Sequence, residues 1–471
     1  MRMELFRNKK KLFRNKKELF IIYLMIATFA GISNFMEPAN LFVMASIGLS
    51  LLVVLFGDKM ATLYLMIALI PFYNSLKING VSAGFVIPLF AIGKLLTFPS
   101  RNEMSPLVVF MMLFLSVWFF HDIKYQTFAM TIFSLLVPCF VFLFVLTKDW
   151  HEYDGYYAMW LVIATTLIAM VCVFMVQGGS LESFIYTSYA GEMRLGEADT
   201  DEGQKNQLDG AMGFPIYTLT IVSLLIQMLM TRRFRLWQKV SCLALIIGLF
   251  FITFLTVSRV YILGLATMAL LLICHVMRSK SKSAIFGVLL GCTAIFLIAS
   301  NYLSDYMDII FNNYLGRIVG DGEEGGTGIR GVIYKDCIDY LMNNVECLLI
   351  GKGNGAYPLI GAQLHRPFSM SAHNMIIDGL MSFGIVGSIY IFVVYKNIYK
   401  KDRNNYGINW TIFRVMPLLC IFMMYQTASP FLLDKFYPFL MFLVLNIIHC
   451  TDNSEYDPRW CTKNGYEYKL I

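Results

Sequence analysis

Charge is what this sequence has little of. Of its 471 residues, 15% are charged and 58% hydrophobic, whereas an average soluble protein carries about 25% charged residues. That deficit excludes an ordinary soluble domain. The strict apolar–polar alternation in segments of about ten residues that marks a membrane β-barrel is also missing. The ten cysteines are scattered, and none forms a C-x-x-C pair, which removes the usual redox and zinc-ribbon patterns. Cys337 and Cys347 share one polar loop. Ten residues of straight helix span about 15 Å, so a disulfide requires that the segment between them not be one straight helix, and two unpaired packing thiols are the expectation. No internal repeat of the transporter kind is visible.

What remains is hydrocarbon in membrane-length runs. A helix needs about 17–25 apolar residues to cross a bilayer, and runs of this kind lie at 19–36, 39–56, 60–73, 84–98, 105–120, 127–147, 157–176, 210–230, 240–257, 260–277, 284–300, 374–395, 409–427 and 432–449. The 60–73 and 84–98 runs are short. The expected fold is an all-α polytopic membrane protein with about 12–14 transmembrane helices and one large external loop. The first run follows a basic leader without a small-residue cleavage site and reads as an uncleaved span.

Charge orients the chain. Arg232, Arg233, Arg235 and Lys239, then Arg278, Lys280 and Lys282, then Lys396, Lys400, Lys401 and Arg403 fall on one side, which the positive-inside rule makes cytoplasmic. Both termini are then cytoplasmic. The organisation reads as a basic N-terminal segment (1–18), helices with an acidic external loop at 177–209 (19–300), the large external loop (301–371), C-terminal helices (372–450) and a tail (451–471). The N-terminal segment repeats LFRNKK at Leu5–Lys10 and Leu12–Lys17, a basic stretch suited to anionic lipid. Nothing suggests a nucleic-acid partner.

Reactive groups concentrate at the outer side. Arg259 interrupts the apolar stretch Val240–Val276, too long for one span, so a turn is expected near Thr256–Arg259. An arginine there needs a partner or a headgroup. Arg330 follows a Gly-rich segment and opens an amphipathic pattern through Ile333, Cys337, Leu341, Val345 and Leu348, predicting one helix on the outer interface. Ser371 is the expected N-cap of the next span, with His373 in its first turn. The helix dipole there favours the neutral imidazole a general base requires, and free N–H groups could receive a phosphate oxygen. Asn374 adjoins His373, and Asp378 lies one turn on. Gly379, Gly384 and Gly387 suit close packing.

Metal and nucleotide patterns are weak. Asp199-Thr200-Asp201 sits in the outer acidic loop, and Gly210 stands where an EF-hand requires Glu. The first external loop offers only Glu37. Gly351-Lys352-Gly353 lacks the Ser or Thr of a Walker loop. Neither a metal nor a cofactor is expected.

Taken in order, Ser258-Arg259 opening a span, Arg330 before an amphipathic stretch ending in Gly351–Gly355, His373-Asn374, and Gly384-x-x-Gly387 resemble the O-antigen polymerase and ligase superfamily over about residues 240–395. The resemblance implies a GT-C-like glycosyltransferase in the bacterial plasma membrane, its site at the external face. It implies metal-independent transfer of a glycan from an undecaprenyl (polyprenyl) pyrophosphate to an acceptor hydroxyl. Arg259 and Arg330 would hold the pyrophosphate and His373 would deprotonate or orient the hydroxyl. Asn374, Arg317 and Arg366 would bind sugar or phosphate. The preferred member is a polymerase of O-antigen or capsule, as in lipopolysaccharide and polysaccharide biosynthesis, because polymerases are the more divergent members. The alternatives are a ligase acting on lipid A core and a lipid-linked oligosaccharide flippase or transporter. Implied partners are the polyprenyl-pyrophosphate-linked oligosaccharide, membrane lipid, a chain-length regulator and a flippase.

Overall fold

The computed structural model describes residues 16–69, 71–72, 76–78, 81–84, 86–96, 152–176, 213–231, 236–254, 259–278, 327–352, 372, 374, 376–381, 384–389 and 416–424. These are mostly helical. In chain order they form α1 (Lys16–Ile32), α2 (Ala39–Phe56), α3 (Lys59–Ala68), the strands β1 (Lys77–Ile78) and β2 (Val81–Ser82), α4 (Val86–Leu96), α5 (Glu152–Val176), α6 (Gly213–Thr231), α7 (Leu236–Phe254), α8 (Arg259–Arg278), α9 (Thr327–Asn343) and α10 (Val345–Ile350). Residues 376–381, 384–389 and 416–424 are also helical. The expected spans at 105–120, 127–147, 284–300 and 432–449, and the acidic loop at 177–209, lie outside the described residues.

Two described helices, Ala39–Phe56 and Tyr157–Val176, are long and apolar enough to cross a membrane, and shorter apolar helices cover Thr218–Gln227, Leu236–Phe250 and Val260–Cys274. Their packing fits that of a helix bundle in lipid. Large apolar side chains such as Ile21, Met44, Leu55, Trp160, Val171, Leu236, Val240 and Leu270 face outward, while Ser46, Ser50, Thr165, Thr218 and Thr253 are buried. Where the surroundings are apolar, burying Leu drives nothing; small residues and interhelical hydrogen bonds hold helices together. Tyr23 Oη donates to the Ala61 carbonyl at 2.8 Å, joining α1 to α3. Ser46 Oγ donates to Ile26 O at 3.1 Å, joining α2 to α1. Tyr157 Oη donates to Lys16 O at 2.8 Å, joining α5 to α1. Thr253 Oγ1 donates to Thr218 Oγ1 at 2.8 Å, joining α7 to α6. α5 also packs on α3 and α6, and α6 packs on α7 and α8, so one core runs from Leu19 to Met424.

The third expected span is the main departure. α3 has 10 residues, which cover about 15 Å, half of a hydrocarbon core of about 30 Å; of the fourth, Val86–Leu96 is helical among the described residues. Pro71 offers no N–H and disfavours helix at the residue before it, so α3 stops at Ala68. The antiparallel β1–β2 hairpin, pairing Lys77 with Ser82 and Ile78 with Val81, intervenes. The otherwise all-α expectation thus misses one small sheet. Lys94, half-buried on α4, donates its Nζ to the Val54 and Gly57 carbonyls at the end of α2, which satisfies carbonyls a helix end leaves open.

α8 seats closely on its neighbours. A Cβ at Gly264 would meet Leu219 Cδ1 at 2.6 Å and Met424 Sδ at 2.8 Å. Gly264→Val is therefore expected to cost about 1–3 kcal/mol by overpacking, read as a lower thermal midpoint of the detergent-purified protein. An unchanged midpoint would show that α8 does not sit against α6 and 416–424.

Candidate functional site

α9 begins at Thr327, placing Arg330 in its first turn. Its buried face is Cys337 and Leu341, with Ile333 and Tyr334 packed beside them. Lys335, Asp339 and Asn343 are exposed while Asp336 is half-buried, and the apolar Val332, Ile338 and Met342 are exposed as well, so the helix is less amphipathic than expected. The pattern does not continue as one helix. At Asn344 the backbone leaves helical geometry (φ −127°, ψ 81°), and the Asn344 Nδ2 donates to the Tyr340 carbonyl at 2.9 Å. The break rephases the face. Val345, expected inside, is 62% exposed, and Cys347 is buried instead. Cys337 and Cys347 remain thiols in one apolar cluster, as expected for packing cysteines.

α10 docks on the start of the next helix. The cluster of Cys337, Leu341 and Cys347 is completed by Ala372 and Met381, with Ile377 and Leu380 at its edge. The Lys352 N–H donates to the Met381 carbonyl at 2.8 Å, and the Cys347 thiol lies 3.8 Å from the same oxygen. Two glycines permit this. Gly351 ends α10 at φ 75°, ψ 177°, a region essentially reserved for glycine that costs other residues about 1–3 kcal/mol. Gly384 has φ 64°, and a Cβ there would collide with the Leu349–Ile350 backbone. The close packing expected of Gly384 is thus explained. Gly379 is less demanding, since its Cβ would sit 3.6 Å from Ser388 Oγ.

The approach to the 376–381 helix is held by two side chains. Asn374 Oδ1 accepts from the Ile376 N–H at 2.9 Å and the Ile377 N–H at 3.1 Å, and Asp378 N donates to Asn374 O at 2.8 Å. This is N-cap geometry, so the cap is Asn374 and the expectation for Ser371 is corrected. Asp378, fully buried, accepts from the Ala372 N–H on Oδ1 and the Asn374 N–H on Oδ2, each at 3.0 Å. The amides of Asn374, Ile376 and Ile377 are therefore already bonded. They are not the open phosphate seat that a bare helix terminus would offer.

Among the predicted site residues, the structure brings Arg330 and Asn374 onto one packed unit. Ile333 and Tyr334, one turn after Arg330, share a cluster with Ala372, the residue before His373. Arg259 is the first residue of α8, after the expected break between α7 and α8, and α8 packs in the main core. No described packing joins it to the α9–α10 unit. His373, Arg317 and Arg366 lie outside the described residues. Sequence reasoning missed the role of Asp378 in the turn. The signal was present as a carboxylate four residues after an Asn, where an apolar run begins.

Two measurements test this docking. Gly384→Ala is expected to destabilise the unit by more than about 1 kcal/mol, because it adds strain and a backbone collision, and a wild-type midpoint would rule out the close approach. Burial pushes the Cys347 thiol up to about 11, with Lys352 opposing and Glu346 adding to the rise. The thiolate is the reactive form, so alkylation of Cys347 should be slow near neutral pH and rise roughly tenfold per pH unit towards pH 11. Rapid labelling at pH 7 would mean the cluster is open.

No curated protein and no solved structure matches the chain. One protein-family model does: that described as O-antigen ligase matches residues 243–392, from within α7 to just past the helix that Asn374 caps. Over this stretch, about a third of the chain, the sequence is similar to the O-antigen ligase family, which supports the resemblance to the O-antigen polymerase and ligase superfamily.

Proposed function

We propose that the protein is a GT-C-like polysaccharide polymerase, crossing the bacterial plasma membrane about 12–14 times. It transfers a glycan from polyprenyl pyrophosphate to the hydroxyl of a lipid-linked repeat unit at the outer face. The observation that carries the reading is the similarity to the O-antigen ligase family at 243–392, a stretch that contains both α9 with Arg330 and the capped turn at 372–378. The same description favours a second reading as strongly, that of a ligase whose acceptor is lipid A core. Acceptor identity separates the two.

In either reading the chemistry is the same. The acceptor oxygen attacks the anomeric carbon, the bond from that carbon to the pyrophosphate oxygen breaks, and polyprenyl pyrophosphate leaves with the electron pair. His373 takes the acceptor proton. Arg330 and Arg259 neutralise the charge growing on the leaving group through charge-assisted hydrogen bonds. Because the turn amides are occupied by Asn374 and Asp378, side chains rather than helix N–H groups carry the pyrophosphate. Arg317 and Arg366 contact sugar or phosphate, and Asn374 offers substrate its Nδ2 group, its Oδ1 being engaged in the cap.

A flippase would place charge near mid-membrane. Among the described residues Asp378 is the one buried carboxylate or cation, and it stands at a helix start. Lys94 reaches the carbonyls at the end of α2. Both placements support the enzyme over the transporter.

The test is single-turnover transfer by purified protein with a lipid-linked repeat unit, with and without EDTA. A ladder of longer lipid-linked chains that survives EDTA and is lost in His373→Ala is the expected result. Transfer only when lipid A core is supplied would make the protein a ligase, and no transfer to any acceptor would return the transporter to first place. Arg330→Ala should lower the rate by at least about 100-fold, the scale of losing one transition-state charge partner. Full activity in Arg330→Ala with none in Arg317→Ala would move the phosphate role to Arg317.

A further inference from the structure

We infer that α9 and α10 carry a second apolar face, and that this face rests on the acyl chains of the bilayer. The face expected to meet the membrane, through Ile333, Cys337 and Leu341, is consumed by packing with Ala372 and Met381. Another runs beside it. Ile338 and Met342 on α9 are exposed, and residues four apart on a helix share one stripe. Past the break at Asn344, Val345 and Leu349 on α10 repeat the spacing and are exposed too. With 3.6 residues per turn, Ile338 and Met342 stand about 100–140° round α9 from Cys337, and Lys335, Asp339 and Asn343 about 160–240°. The helix thus turns three sectors outward in order: one packed on protein, one apolar and exposed, one polar and exposed. Among the described residues of α9, Val332 alone is out of place. This is the arrangement of a helix with protein at its side, lipid beneath and water above.

What the stripe adjoins identifies the occupant. Gly384 brings the Leu349–Ile350 backbone against the 384–389 helix, and that helix turns Val386 and Ile389 outward within the expected span at 374–395. The exposed apolar residues of α10 therefore continue onto the flank that a membrane span offers to acyl chains. Packing on Met381 fixes where α9 sits beside the bundle, and lipid contact fixes its depth. The depth of the helix that carries Arg330 is then set by the bilayer surface. The inference holds for a polymerase, a ligase or a transporter alike.

Photo-crosslinking of the full-length protein tests it. Met342, Val345 or Leu349 is replaced, one at a time, by p-benzoylphenylalanine. The protein is reconstituted in phosphatidylethanolamine–phosphatidylglycerol vesicles with radiolabelled acyl chains. Asp339 and Asn343 carry the same probe on the polar stripe, and Leu270, exposed on α8, serves as the reference for lipid contact. Each variant must keep the wild-type thermal midpoint, and three positions on two helices leave a reading if one variant fails to fold. Lipid adducts at 342, 345 and 349 should exceed those at 339 and 343 at least about fivefold and match Leu270, because an interfacial helix buries its apolar face about 5–10 Å among acyl chains while its polar face stays in water. Adducts no more abundant than on the polar stripe overturn the inference. A crosslinked dimer as the main product would show that a second copy covers the face. An adduct to another segment of the same chain would show that the protein covers it itself, and either result also overturns the lipid assignment.

Discussion

Everything described at the candidate site depends on one close approach of backbone to backbone. Gly384 lets the Leu349–Ile350 peptide come within a distance that any side chain would forbid. That approach allows the Lys352 N–H to meet the Met381 carbonyl and closes an apolar cluster around Cys337, Leu341 and Cys347. Helix α9 is thereby laid against the start of a later helix more than forty positions along the chain. Without the approach, α9 and α10 would be amphipathic segments of a polar loop, free to place Arg330 anywhere within reach.

The rest of the bundle solves a different problem. With apolar side chains facing outward, burial of hydrocarbon cannot drive association, and the helices are joined instead by hydroxyl and phenol donors reaching across to neighbouring helices. Several inward hydroxyls also bond back to their own helix, as Thr165 does to Leu161 O at 3.0 Å and Thr220 to Ile216 O at 2.6 Å. Such groups are satisfied locally and carry no charge, which suits a scaffold. The exception is Asp378. Its carboxyl group is buried where the chain turns into a helix, bonded to the amides of Ala372 and Asn374.

A glycosyl transfer from a pyrophosphate donor asks for fixed cations and a fixed base more than for a deep reactive core. The unit joining α9, α10 and 372–381 supplies rigidity in that form. Its two capping side chains also change the electrostatic picture. The amides of Asn374, Ile376 and Ile377 are turned to Asn374 and Asp378, so in the proposed reading phosphate is left to guanidinium groups, which bind it in two-pronged fashion.

Composition and the spacing of apolar residues determined the helical class and the helix that carries Arg330. These features follow from local rules, such as the three-to-four-residue repeat that marks one face of a helix. The motifs running from Arg259 to Gly387 pointed to the superfamily for the same reason, as residue types in order. Other features depended on contacts between distant residues. Local periodicity carried the α9 pattern straight through Asn344, but docking on Met381 and Gly384 turned Cys347 inward and Val345 out. Ser371 and Asn374 are both good caps by type, and it is the Asn374 Oδ1 that receives the Ile376 and Ile377 amides. The run at 60–73 looked like a span because hydropathy reports burial without saying whether lipid or protein provides it. Packing made α3 a ten-residue helix enclosed by α1, α2 and α5, with a hairpin beyond it.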